Sequence, residues 1–190
     1  DFFSRFFREM PAVTVQGKEM EAKILSNGKF TMGSKKNGLP VDTIFGHPNG
    51  VHAEGIWSSF ISLKVGEDVY KFHELNITKS EILKDAKESL TVASIPNKNI
   101  DVHLKIKSVS SKYDSIQISL GAKNNSGQNQ NVGFRIMLDT WAGNNDGVPF
   151  TIPGAVGNEE YVYTKELKFN PATSPIWETY DIDNSGTVFI

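Results

Sequence analysis

Strict alternation of apolar and polar residues in the middle of this chain constrains its fold more than any other feature. Ile100, Val102, Leu104 and Ile106 alternate with Asp101, His103, Lys105 and Lys107. Ile116, Ile118, Leu120 and Ala122 stand at every second position of the next stretch, and Val132, Phe134, Ile136 and Leu138 of a third. A period of two sends successive side chains to opposite faces. These stretches are therefore expected to be strands with one face on a core and the other in water, which is the habit of antiparallel sheets. Asn124, Asn125, Ser126 and Gly127 form a turn between the second and third, so the three strands are expected to make a meander.

The rest of the chain extends the pattern. Met20, Ala22 and Ile24 alternate with charged residues and run into Asn27-Gly28, a strong hairpin signal, after which Lys29–Met32 resumes as a strand. Residues 33–40 read as a loop of Gly, Lys and Asn. A second hairpin is expected over Ile56–Phe72, with its turn at Gly66, Glu67 and Asp68. Residues 78–89 are expected to form a short helix, with Thr78 as its cap, Glu81 three residues on, and Ile82, Leu83 and Ala86 on its buried face. Phe2, Phe3, Phe6, Phe7 and Met10 recur at helical spacing around Arg5 and Arg8, marking residues 1–10 as an amphipathic turn or two. Such a segment docks on the domain, on a neighbour or on a membrane surface. Tyr161–Leu167 and Trp177–Ile182 are further strand candidates. Many strands separated by Gly, Asn and Pro turns predict an antiparallel β-sandwich with at most one or two short helices. No internal repeat or linker divides it, so residues 1–190 are expected to be a single domain.

Composition narrows the function classes. Twenty basic residues nearly cancel 22 acidic ones among 190, leaving a net charge of -2 with no long run of one sign. That is not the footprint of nucleic-acid binding or of a polybasic membrane patch. Cysteine is absent, which excludes disulfides and thiolate metal sites from this sequence. No apolar run reaches the length of a membrane-spanning helix. The abrupt start at Asp1 and the strand-like end at Thr187–Ile190 are expected to be processing boundaries of a piece of a larger protein.

The densest chemical signal lies in Asp139–Phe150 (DTWAGNNDGVPF), where a long strand ends. Gly143 and Gly147 allow the loop to fold back on itself. Asn144, Asn145 and Asp146 then offer oxygens near Asp139, the hard donor set that suits Ca²⁺. The alternative is a network of Asx turns that stiffens the loop. Arg135 lies an even number of residues from Asp139 and is expected to order the loop by a salt bridge. Asp181–Gly186 (DIDNSG) matches the first half of an EF-hand loop, yet the distal bidentate Glu has no place before Ile190, so a polar turn between two strands is expected. His47, His52 and Glu54 stand in a Gly- and Pro-rich segment and read as a structured turn rather than a metal site.

Catalytic patterns are scarce. There is no Gly-x-Ser-x-Gly elbow, phosphate-binding Gly loop or cysteine nucleophile. A carboxylate pair of the glycosidase kind would begin with Asp139 and Asp146. Trp57, Trp141, Trp177 and Tyr161 are candidates for a sugar-stacking platform, the alternative being burial in the core.

Three segments carry a resemblance. Phe30–Ser34 (FTMGS), followed by Ile44–Asn49 (IFGHPN), resembles the FTIGT … LLYGHPNP signature of an uncharacterised β-sandwich region in large exported bacterial and archaeal proteins. Val132–Phe150 (VGFRIMLDTWAGNNDGVPF) is similar to that region's VGLRVMLDTMLGxNDGAPF signature, and Ile176–Asp181 (IWETYD) to its PxYWxAFD element. Val51–Gly55 departs from the Ser/Thr-rich stretch of the pattern, and Trp141 stands where it has Met. The resemblance implies a large antiparallel sandwich, somewhat like the supersandwich of sugar mutarotases and polysaccharide lyases, at the cell surface or outside it. It supplies no catalytic residues. The expected function is thus a non-catalytic structural or adhesion module, partnered by other domains of its parent protein or by neighbouring copies, with Ca²⁺ as a candidate staple. A carbohydrate-binding domain and a supersandwich-type enzyme are the alternatives.

Overall fold

The computed structural model describes residues 12–36, 39–45, 59–110 and 114–139, and beyond them the strand residues 141–142, 145–146, 150–152, 155–156, 178–180 and 187–189. The amphipathic segment 1–10, the His47–Glu54 turn, Trp57, Tyr161–Leu167 and Trp177 lie outside the described residues. Within them the chain is an all-β, antiparallel sandwich.

One sheet is a four-stranded run in chain order: β1 (Ala12–Gln16), β2 (Met20–Leu25), β3 (Phe30–Lys36) and β4 (Leu39–Phe45). Its central turn follows the sequence signal at Asn27-Gly28. Gly28 takes φ +85°, and the Asn27 carboxamide oxygen accepts the Lys29 N–H at 3.1 Å. Most of the predicted 33–40 loop is instead strand, β3 running to Lys36 and β4 starting at Leu39, with register shifts at Met32/Gly33 and Ser34/Lys35; residues 37 and 38 lie outside the described residues. Bulges let this Gly- and Lys-containing stretch stay paired where a regular ladder would not.

A second sheet contains β7 (Asn76–Leu83), β8 (Glu88–Ile95), β9 (Ile100–Ser110) and β10 (Asp114–Asn124), in the order β10-β9-β8-β7. The helix predicted over 78–89 is therefore a hairpin. Thr78 does not cap; its hydroxyl donates across the ladder to the Val92 carbonyl at 3.3 Å. Lys84, Asp85 and Ala86 all take positive φ, between 52° and 64°, which reverses the chain. Pairing with β8, whose Ala93 and Ile95 are fully buried, overrides the helical spacing of Ile82, Leu83 and Ala86.

β5 (Phe60–Val65) and β6 (Asp68–Lys71) form the predicted second hairpin, joined on the other side by β11 (Val132–Met137). The expected meander over residues 100–138 is thus displaced: β11 pairs with β5 and leaves β10 as an edge. The crossing is set by the polar connection. The Asn99 side chain donates to the Asn125 carbonyl at 2.7 Å, Gln130 donates to the Lys98 carbonyl at 2.8 Å, and Gly66 N–H donates to Asn131. These bonds carry the chain from the end of one sheet to the start of another.

β1 crosses β7, β8 and β9, while β2 faces β9 and β10. Val15, Ala22, Ile24, Phe30 and Met32 of the first sheet meet Ala93, Ile95, Ile100, Val102, Leu104 and Ile106 of the second, with Ile61, Leu63, Val65 and Phe72 beside them. Every second residue of β9 from Ile100 to Ile106 is at most 1% exposed, so the alternation that predicted the strand also built the core. Each such side chain contributes about 1.5–3 kcal/mol by leaving water.

Candidate functional site

The 139–150 loop begins where β11 ends, and its base is tied to the core. Ser59 is fully buried, its carbonyl accepts the Phe30 N–H at 3.3 Å and its hydroxyl accepts the Asp139 N–H at 3.1 Å. One serine therefore joins the first sheet, the entry to β5 and the root of the loop. Nothing in the sequence marks Ser59 for this role; only the fold brings it to residue 139.

Beyond Asp139 the chain folds back, as its glycines allow. β12 (Trp141–Ala142) pairs antiparallel with β13 (Asn145–Asp146), Trp141 opposite Asp146 and Ala142 opposite Asn145. Gly143 and Asn144 stand between the paired residues, and Gly147 follows them; all three lie outside the described residues. β14 (Phe150–Ile152) then pairs with β15 (Ala155–Val156) and with β16 (Glu178–Tyr180), which pairs with β17 (Thr187–Phe189). The acidic segment Asp181–Gly186 stands in sequence between these last two strands and lies outside the described residues. Trp177 immediately precedes β16.

The expected salt bridge from Arg135 is not formed. Arg135 is exposed, it pairs across the ladder with Ser62, and no ion pair joins it to Asp139 among the described residues. The strand ends at Met137, so an even spacing no longer keeps positions 135 and 139 on one face. Among the described residues no three His, Asp or Glu side chains group as a metal site.

Ionisable groups with displaced pKa values sit elsewhere, at joints between strands. Asp114 accepts N–H groups of Glu19 at 2.6 Å and Met20 at 2.9 Å and the Ser110 hydroxyl at 3.0 Å. Burial alone would raise its pKa, but these donors outweigh burial and lower it. Gly17 makes room for the carboxylate: a Cβ there would lie 2.6 Å from Asp114 Oδ2 and 2.8 Å from the Met20 carbonyl.

Glu88, only 3% exposed at its side chain, accepts from Lys84 and Lys105, each at 2.9 Å. Those bonds, Lys84 first, hold its pKa at about 2. The carboxylate lies on the face of β8 opposite to Ala93 and Ile95, and the lysine hydrogen bonds outweigh the desolvation that would raise its pKa.

His73 stacks edge-on against Phe60 with ring centroids 5.1 Å apart. Its Nδ1 is buried without a hydrogen-bond partner. Desolvation, and then the positive charge of Lys29, lower its pKa, against a smaller opposing pull from Glu74. The sequence reading missed Asp114, Glu88 and His73, because each depends on partners brought in by pairing.

No family model matches the chain, and no curated protein and no solved structure matches it significantly.

Proposed function

We propose that this chain is a non-catalytic structural or adhesion module of a larger surface or secreted protein, its 139–150 loop stiffened by Ca²⁺. One observation supports the reading above others: the described carboxylates with displaced pKa values are each taken up by hydrogen bonds from within the chain. Asp114 ties a turn of one sheet to a strand of the other, Glu88 is saturated by two lysines, and Glu74 is lowered by the adjoining Lys71. A general acid or base needs a proton to exchange near neutral pH; these groups are held well below that range. The resemblance of the 30–49 and 132–150 segments to exported β-sandwich regions supports the compartment, and with it a supersandwich-like arrangement.

For calcium, Asp139 and Asp146 supply the charge, while Asn144, Asn145 and loop carbonyls complete an oxygen set. The hairpin between Trp141 and Asp146 returns the chain toward its root at Asp139.

The test is a glycan array together with a turnover assay on a polysaccharide panel. The module reading predicts no turnover and no glycan retained above background. Sugar release abolished by Asp139→Asn would replace it with an enzyme. Glycan binding lost in Trp57→Ala, Trp141→Ala or Trp177→Ala would replace it with a carbohydrate-binding domain.

A further inference from the structure

The edges of the described sheets are not protected alike. β7 carries Lys79 and Glu81 and a register shift between Ile77 and Lys79. β6 has four residues and carries Asp68 and Lys71. β4 contains Pro40 and Asp42. β1 is short, and its last residue donates its N–H to Ala86 at 2.8 Å. β11 carries Gly133 and Arg135. Charges, bulges, proline, short length and covering bonds are the devices that keep a sheet edge from pairing with another chain.

β10 lacks them. It is an edge strand of 11 residues, paired with β9 from Asp114 to Asn124 without a register shift. From Ser115 to Ala122 (SIQISLGA) it holds no charge and no proline. Among the described residues nothing pairs with its outer side. Ile116, Ile118 and Leu120, which share a face with Ile106 and Leu104 through the ladder, are only half-buried, so that side of the core stops short.

We infer that β10 is an assembly edge, and that its occupant is β10 of a second copy, paired antiparallel about a two-fold axis at Ser119. The strand is complementary to itself in that register. Ile116 faces the partner's Ala122, Ile118 faces the partner's Leu120, and Gln117 faces the partner's Gly121. Ser119 meets its own symmetry mate. Directly opposed residues share a face, so the apolar positions stay together and two four-stranded sheets become one of eight strands. No like charges oppose each other between residues 115 and 123. A two-fold contact needs one patch that complements itself, and the outer side of β10 meets that condition. This inference rests on the assembly reading above and names its partner.

The experiment is sedimentation velocity on the chain from low micromolar to millimolar concentration, with three variants. Ser119→Glu places a carboxylate at an exposed position of its own chain, which keeps the fold, and opposite its own mate at the axis. Because the chain has no cysteine, Ser119→Cys and Lys123→Cys each introduce one thiol. The expected result is a concentration-dependent dimer, lost in Ser119→Glu at an unchanged melting temperature. Mild oxidation should cross-link Ser119→Cys but not Lys123→Cys, whose two copies lie at opposite ends of the paired strands. A monomer at all concentrations overturns the inference. So does a dimer indifferent to Ser119→Glu, or equal cross-linking of both cysteine variants. Polysaccharide turnover would overturn the module reading without bearing on the dimer, so the two failures are told apart.

Discussion

The Asp114 carboxylate accepts the Glu19 backbone N–H at 2.6 Å, a bond across 95 residues of sequence. With Met20 as the second donor, it locks the turn between β1 and β2 to the first residue of β10, joining the two sheets at one corner. Charge-assisted bonds of this kind are worth more than neutral ones. Asp114→Ala is expected to cost about 2 kcal/mol, and Asp114→Asn less, since it keeps an acceptor. Urea unfolding at neutral pH measures both.

Gly17 is the other half of that joint. Its replacement by alanine sets a Cβ against Asp114 Oδ2 and the Met20 carbonyl. Gly17→Ala should destabilise by about 1–3 kcal/mol. Part of that penalty should vanish when Asp114 is already alanine, because one of the two clashing atoms is then gone. A double-mutant cycle reads the coupling.

Gly28 carries a double constraint, a φ of +85° and a Cβ position 2.5 Å from the Phe72 ring. Phe72 is 1% exposed and cannot swing into open space. Gly28→Ala should therefore cost more than the backbone strain alone, about 2 kcal/mol or above. Gly66, also at positive φ but with nothing within 4 Å of its Cβ position, should show only the strain. Thermal melts of the two variants compare them directly.

Acid should weaken the fold in two steps. His73 has a lowered pKa in the folded chain, so the native state resists its protonation. The stability it contributes is complete above the unfolded value of 6.5 and is lost as pH falls through the folded pKa. Lys29, Lys71 and Glu74 are the charged groups that act on it. Glu88 acts lower: with 4.5 as its ordinary value and about 2 in the fold, its contribution is present above pH 4.5 and fades toward pH 2. Stability against pH should lose the first step in His73→Gln, and the second should shrink in Glu88→Gln, Asp114 carrying part of what remains. An unchanged profile in either variant would remove that group from the account.

Much of the fold was legible because alternation and turn chemistry are local. Ile100–Ile106 gave the central strand, and Asn27-Gly28 its hairpin. What failed was partner choice and one short segment. Residues 78–89 fit a helix by spacing, but Ala93 and Ile95 next to them needed a paired neighbour, and the left-handed turn at Lys84–Ala86 carries no glycine to announce it. Similarly, β11 alternates like β10 yet belongs with β5, because the polar bonds of Asn99, Asn125 and Gln130 redirect the chain. The loop at 139–150 announced its reversal through glycines. Its anchor did not: Ser59 reaches Asp139 only through the fold.

Thermal melting in excess EDTA and in millimolar Ca²⁺ tests most directly whether the 139–150 loop is a calcium-stapled structural element. A ligand that binds only the native state stabilises it by about 2.7 kcal/mol at a hundredfold excess over Kd, which for a chain of this size raises Tm by roughly 5–10 °C. The rise is expected in the native chain and in Asp114→Ala, and its loss in Asp139→Ala and Asp146→Ala. Asp139→Ala keeps the backbone N–H that bonds to Ser59, so its loss of response would report the carboxylate. An equal Tm with and without Ca²⁺, or a rise that survives in both loop variants, would contradict the calcium staple.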